Sequence, residues 1–262
     1  MGEREAVTEK LQKILARAGY GSRRELERWI AAGRVKVNGK RATVGMRVAP
    51  GDAIHVDGKR LGRQALGRQP VRVLRYHKNA GEICSRRADA DRPTVFDNLP
   101  RLKSGRWIAV GRLDLNSSGL LLMTNDGGLA HRLMHPSSAL VREYAVRVRG
   151  QVTAQAIRAL QHGVQLEDGP AKFETIVHKG GEGANHWYHV TLREGRNRQV
   201  RRLWASQGAQ VSRLTRVQFG PVSLPRSLPR GRWDELSDRQ VATLMQAATK
   251  FNRDRLNLVL NK

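Results

Sequence analysis

Several residue types are scarce in this chain, and each shortage narrows what it can be. A single cysteine, Cys84, leaves no internal disulfide and no site built from several thiolates. Aromatic residues make up 5%, too few for nucleic-acid binding by ring stacking alone. No apolar run reaches the roughly 18 residues of a transmembrane helix. Acidic residues are outnumbered: 23 Asp+Glu face 48 Lys+Arg, for a formal net charge of +25 in 262 residues. Like charges repel in a compact chain, so such an excess points to a polyanionic partner, nucleic acid or an anionic membrane. Without a spanning helix, nucleic acid is the simpler of the two. The polar stretch from Met1 to Lys10 carries acids and is expected to be neither a signal nor a transit peptide. These features lead us to expect a cytoplasmic protein of one to two domains whose binding weakens steeply with salt. No heptad or apolar stripe argues for an oligomer, so a monomer is expected.

Residues 8–60 read as a small basic unit. Thr8 is placed to cap a helix carrying Leu11, Ile14, Leu15 and Ala18 on one face and ended by Gly19. Ser22, with Glu25 three residues on, predicts a capping box opening a second helix whose apolar stripe is Leu26, Trp29 and Ile30. Val35 to Val37 then reads as a strand entering an Asn38-Gly39 hairpin turn, with further short strands at Val48 and at Ile54 to Val56. The unit holds 13 basic and 5 acidic residues (13 − 5 = +8). Arg24 and Arg28 share a helix face. Charge runs usually mark a solvated face, but here no interleaved Glu balances the excess, so phosphate contact is the better reading.

Residues 61–70, rich in Gly, Arg and Gln with no apolar period, read as a linker. From 71 to 249 the pattern mixes strands and helices. Strands are expected at Trp107 to Arg112, Leu120 to Thr124, Tyr144 to Val148, Phe173 to Val177 and Trp187 to Leu192. Helices are expected at Leu129 to Met134, Thr153 to Gln161, Val200 to Ser206 and Asp238 to Thr249, the last behind a Ser237-x-x-Gln240 capping box. The two types do not alternate regularly, which predicts an α+β fold on a mixed, mostly antiparallel sheet and not a doubly wound one. The tail, 250–262, reads as either a short helix or a frayed end.

Two stretches carry candidate chemistry. In Gly111-Arg112-Leu113-Asp114-Leu115-Asn116-Ser117-Ser118-Gly119, a strand delivers one carboxylate into a loop of small polar residues. Such an aspartate is commonly only a turn former. In Glu194-Gly195-Arg196-Asn197-Arg198-Gln199-Val200-Arg201-Arg202-Leu203, four arginines crowd a helix start. Phosphate contact suits Arg196, Arg198 and Arg202, and one arginine of the four could instead hold a carboxylate ionised. No Walker loop, no GxGxxG after a strand and no metal-spaced His/Cys cluster is present; His131 and His135 are four apart but lack a third ligand. No metal is expected.

The segments 10–24 and 33–40, in their order of helix, helix and Val-x-Val-Asn-Gly, resemble the S4 (α-L) RNA-binding domain. The Gly-Arg-Leu-Asp run at 111–114, Arg142-Glu143-Tyr144-Ala145-Val146 and the arginine-rich stretch at 194–203 together resemble the pseudouridine synthases that carry an N-terminal S4 domain. The likeness runs from Glu9 to about Gln240, and within the family 131–148 and 180–183 look most like the large-subunit ribosomal synthases of branch B. The resemblance implies a cofactor-free isomerase converting uridine to pseudouridine in 23S ribosomal RNA or the assembling large subunit, near the peptidyl-transferase region. It implies that Asp114 is the essential carboxylate, Tyr144 the tyrosine against the base, Arg201 the partner of the aspartate, and Leu203 part of the pocket's apolar wall. Arg112, Arg196, Arg198 and Arg202, with Arg23, Arg24, Arg28, Lys36 and Lys40 of the small unit, are the implied RNA contacts. Without the motif around it, Tyr144 would read as an ordinary core aromatic of a strand.

Two other functions compete, of which the first stays open. A non-catalytic rRNA-binding assembly factor would need only the charge and the S4 unit. An S4-linked methyltransferase would need a glycine-rich strand–loop–helix, which the sequence lacks.

Overall fold

The computed structural model describes residues 8–62, 67, 69–86 and 92–260, with side chains described up to Thr249. The chain divides into two compact units: Met1–Val71 with Pro100–Trp107, and Arg72–Leu99 with Ile108–Lys262. The larger unit is therefore discontinuous in sequence, with 100–107 grouped with the smaller one.

In the small unit, β1 (Glu9–Lys10) leads into α1 (Leu11–Arg17) and α2 (Arg23–Ala31). The Ser22–Glu25 capping box is formed, with Glu25 N donating to Ser22 Oγ at 3.2 Å and Ser22 N to the Glu25 carboxylate at 3.2 Å. Thr8 does not cap α1: its hydroxyl accepts from Arg47 Nε at 2.9 Å. Residues 9 and 10 are spent instead on a strand pairing with Val48 and Arg47, so α1 starts at Leu11 with no side-chain cap. The strands β2 (Val35–Val37), β3 (Lys40–Arg41), β4 (Arg47–Val48), β5 (Ile54–Val56) and β6 (Lys59–Arg60) follow, and β3-β2-β5-β6 form an antiparallel sheet. Asn38 and Gly39 turn the β2–β3 hairpin at φ 50° and 80°, the left-handed pair a two-residue hairpin needs. Leu11, Leu15, Leu26, Ile30, Val35 and Val56 form the core. Leu61, the first residue of the expected linker, is buried in that core, while linker residues 63–66 and 68 lie outside the described residues.

The larger unit is one mixed sheet with helices packed on it. Its strands are β7 (Val73–Lys78), β8 (Ile108–Ala109), β9 (Ser118–Thr124), β10 (Arg142–Arg149), β13 (Thr175–Glu182), β14 (Asn185–Leu192), β15 (Gln210–Phe219), β16 (Val222–Ser223) and β17 (Trp233–Glu235); β11 (Val164–Leu166) and β12 (Gly169–Ala171) form a separate hairpin. The order is β13-β14-β10-β15-β9-β7-β17, with β16 on β15 and β8 on β9. Every pairing is antiparallel except β15 with β9, which join as Thr215↔Ser118 and Arg216↔Gly119. The helices are α3 (Gly127–Met134), α4 (Ala154–His162), α5 (Gln199–Ala205) and α6 (Asp238–Leu260). The α+β expectation holds. The last helix outruns its expected end at Thr249, so 250–260 continues α6.

The sequence reading missed β15, the strand at the centre of the sheet. Its ten residues carry arginines at 213 and 216 and glutamines near both ends, so the apolar alternation is broken. By contrast β9 is buried at all seven positions and reads as a continuous apolar run, as a strand covered on both faces does. The parallel junction of β15 with β9 has a local cause. A Cβ on Gly119, at φ 104°, would lie 2.3 Å from the carbonyl oxygen of Arg216, so only glycine lets the β15 backbone lie this close.

Candidate active site

The loop from Gly111 to Ser117 brings Asp114 to the mouth of β9, and its backbone is fastened by cations. Lys78, the last residue of β7, is fully buried, and its ammonium donates to the carbonyls of Asn79 at 2.7 Å and Ser117 at 2.8 Å. The carbonyls of Asp114 and Leu115 lie 3.2 and 3.3 Å from the same nitrogen. Leu115 O also accepts from Gly81 N at 2.8 Å, and Asn116 O from Arg201 Nη2 at 3.0 Å. Four consecutive carbonyls are thus engaged, which satisfies an otherwise exposed polar backbone and holds the loop in one conformation. Burial pulls the Lys78 ammonium below its ordinary range, while the nearby Cys84, Glu82 and Asp114 push the other way. Beside it, the buried Glu82 carboxylate accepts from Tyr76 OH at 2.8 Å and from Asn79 N at 3.0 Å.

The Asp114 carboxylate stays clear of this backbone network and is 30% exposed. Its cationic neighbour is Arg201, whose Nε lies 4.0 Å from Oδ2 and has no hydrogen-bond partner. At that distance the contact is an ion pair and not a hydrogen bond. Arg201 is anchored by its other nitrogens, Nη1 to Val211 O at 2.9 Å and Nη2 to the loop. Burial draws the Arg201 guanidinium below its usual range, Arg198 adds to that, and Asp114 opposes it.

The other motif arginines diverge. Arg202 forms a two-pronged pair with Asp168, at 2.7 and 2.8 Å, which holds that exposed carboxyl down at about 2. Arg196 contacts Glu194, Asp168 and the carbonyls of the β11–β12 hairpin, including Pro170 O at 2.7 Å. Both are thus engaged within the protein by the β11–β12 hairpin, Arg202 from α5 and Arg196 from the segment before it. Arg198, at φ 49°, and Arg112 are exposed on the cleft and carry no such partner among the described residues. Leu203 is fully buried and does not line the cleft, contrary to expectation; it faces the core because α5 turns Val200 to the cleft instead.

Asp114, Arg112, Arg198 and Tyr144 line one cleft of about 970 Å³ with Cys84, Met134, Leu192 and Phe219 among its walls. Tyr144 is 8% exposed and stands on β10 between Val190 of β14 and Arg216 of β15. Two buried arginines, Arg142 and Arg216, also line the cleft. Sequence reasoning assigned neither of them, nor Lys78. Arg142 sits two residues before Tyr144, so strand alternation would have put it on the same face; Lys78 and Arg216 carried no such signal. Of the basic residues expected in the small unit, Arg23, Arg24, Arg28, Lys36 and Lys40 are all exposed. Among the described residues, no group of three His, Cys, Asp or Glu side chains could hold a metal, and no helix is long and apolar enough to cross a membrane.

A cleft lined by the Asp114 and Glu194 carboxylates, with Arg201 4.0 Å from Asp114, a strand tyrosine in its wall and the exposed Arg112 and Arg198, has the charge to receive a polyanion. The chain belongs to the RNA pseudouridylate synthase family, whose description matches residues 72–206, and an S4 domain matches residues 9–54. It is a pseudouridine synthase. Among curated proteins it is 60% identical over 236 residues to the ribosomal large subunit pseudouridine synthase B of Salmonella typhi, covering 89% of this chain and 81% of that one. It is 58% identical over 242 residues to the protein of the same name from Shigella flexneri, covering 92% of this chain and 83% of that one. A solved structure described as a pseudouridylate synthase superposes with a TM-score of 0.61 at 27% identity, over 90% of this chain and 99% of that one.

Proposed function

We propose that this synthase isomerises one uridine of 23S ribosomal RNA, in the peptidyl-transferase region, with Asp114 as its essential carboxylate and without a cofactor. The reaction breaks the N1–C1′ bond, turns the uracil and rejoins it through C5, from which a proton is lost. Nothing is oxidised and no group is donated. Asp114 either attacks C1′ or removes the C2′ proton, Arg201 pairs with it and orients it, and Tyr144 lies against the base as the candidate to take the C5 proton. The uridine leaves its stack to reach the cleft.

The observation that carries this reading is the partly exposed Asp114 carboxylate at a cleft of nucleotide size, 4.0 Å from a guanidinium that is itself mostly buried. Support for the substrate comes from the names of the relatives and from the small unit's exposed cations. In our reading residues 8–60 form the RNA-binding module, with Arg23, Arg24, Arg28, Lys36 and Lys40 on phosphates.

The test is incubation of the purified protein with unmodified 23S rRNA, with mapping of pseudouridine in rRNA from cells lacking it. We expect one new pseudouridine in the first and one missing in the second; RNA that binds but is never modified would sink the proposal in favour of an assembly factor. A second expectation concerns the small unit. Arg24→Ala with Arg28→Ala should weaken binding at every ionic strength. It should also flatten the slope of log K against log salt by about 0.7–0.9 for each phosphate that is no longer neutralised. An unchanged slope would remove this face from the RNA interface.

A further inference from the structure

Arg142 and Arg216 are buried cations without an anion. Arg216 is 3% exposed and Arg142 8%, yet both line the cleft, and neither forms an ion pair with a described residue. Several arginines elsewhere have a carboxylate partner: Arg34 with Asp57, Arg72 with Glu235, Arg75 with Asp234 and Arg202 with Asp168. Arg216 donates Nε to Leu120 O at 2.8 Å, and its Nη2 is buried with no hydrogen-bond partner. Arg142 donates Nη1 to Leu140 O at 2.9 Å and Arg193 O at 2.6 Å. Both guanidinium carbons stand 5.1 Å from the centre of the Phe219 ring, one ring shared by two cations. Burial lowers the Arg142 pKa most, repulsion from Arg216 adds to it, and Tyr144 opposes. An unpaired buried charge is costly unless something arrives to meet it.

Position says what arrives. Arg216 is the cross-strand partner of Tyr144, and Phe219 that of Arg142, so the pair belongs to the wall where the tyrosine stands. The exposed Arg112 and Arg198 at the rim are placed for backbone phosphates; Arg216 is too deep for that. The chemistry supplies an anion at this depth. Whether Asp114 attacks C1′ or takes the C2′ proton, the pair of electrons in the N1–C1′ bond leaves with N1. The carboxylate becomes a neutral ester or acid, and its negative charge reappears on the detached uracil, spread over N1 and the carbonyl oxygens. Arg201, beside Asp114, is on the side the charge has left.

We propose that Arg216, backed by Arg142, stabilises the uracil anion formed when the glycosidic bond breaks, and is a catalytic residue of this enzyme. The assignment rests on the reading of the cleft as the uridine site. Charge stabilisation of this kind by one preorganised donor is worth on the order of 10²–10³-fold in rate.

The experiment compares wild type, Arg216→Met and Arg216→Lys in single-turnover reactions on 23S rRNA fragments transcribed with uridine or with 5-fluorouridine. The rate of cleavage of the target N1–C1′ bond is read by mass spectrometry of nuclease digests. Fluorine withdraws electrons and lets the detached base hold its own charge. Arg216→Met should lose about 10²–10³-fold on uridine RNA and about tenfold less on the fluorinated RNA, with RNA affinity unchanged. Arg216→Lys, which keeps the charge but shifts it, should lose about tenfold with the same dependence on fluorine, and it carries the test if the methionine variant does not fold. A rate within about threefold of wild type, equal losses on both RNAs, or a loss confined to RNA affinity would overturn the proposal. If wild type itself makes no pseudouridine in 23S rRNA, the substrate reading fails instead, and the two failures are distinct.

Discussion

Asp114→Asn abolishes pseudouridine formation and leaves RNA affinity within about twofold of wild type: this is the expected result with the largest effect. Asparagine has nearly the shape of aspartate but can neither attack the sugar nor take a proton, so the loss should reach about 10⁴–10⁶-fold, the range seen when a residue of the reacting group is removed. The fold has little reason to change. The loop is held through its backbone carbonyls by Lys78 and Arg201, and the only charged group paired with the Asp114 side chain among the described residues is Arg201 at 4.0 Å. Binding has little reason to change either, since the cations placed for phosphates lie elsewhere. Pseudouridine counting and a filter-binding titration on one preparation check both halves. Wild-type turnover by this variant would remove Asp114 from the mechanism.

Lys78→Met should damage stability and activity together. The fully buried ammonium makes two short hydrogen bonds, to Asn79 O at 2.7 Å and Ser117 O at 2.8 Å, and methionine of similar length supplies no donor. Leaving two buried carbonyls unsatisfied costs about 1–3 kcal/mol each, so a loss of about 3 kcal/mol is expected. For a chain of this size that corresponds to a fall in Tm of about 6–12 °C. The variant that remains folded should also be slow by about 10²-fold, because the Asp114 loop has lost its central anchor and small misplacements of a reacting group are costly. Differential scanning calorimetry and single-turnover rates below the new Tm check the two effects. A variant that melts with wild type and turns over normally would show that the loop does not depend on Lys78.

Legibility from the sequence followed how local each feature is. The Ser22–Glu25 capping box, the Asn38-Gly39 turn and the Ser237–Gln240 box depend on residues at most three apart and were readable without the fold. The start of α1 was not, because whether Thr8 caps a helix or Glu9 and Lys10 enter a strand is decided by Arg47 and Val48, far along the chain. Leu203 misled for a similar reason. A helix shows apolar residues to the core and to a cleft alike, and only packing says which of Val200 and Leu203 faces which. Among the motif arginines, the residues alone left open which one meets Asp114; the family resemblance pointed to Arg201, and in the structure Asp168 engages Arg202.

The sequence by itself determined the kind of protein this is. Its charge excess, its two kinds of hydrophobic period and three short motifs are properties of neighbouring residues, and these set the α+β class, the basic small unit and the candidacy of Asp114. Only the tertiary structure decided what surrounds that carboxylate. Lys78, Asp114, Arg201 and Arg216 are separated by up to 138 residues (216 − 78), and they meet because β15 lies parallel against β9 at Gly119, where a side chain would have kept the strands apart. Electrostatic work is done over a few ångströms of space, whatever the distance along the chain, so the charges around the site became visible only once the sheet had been assembled.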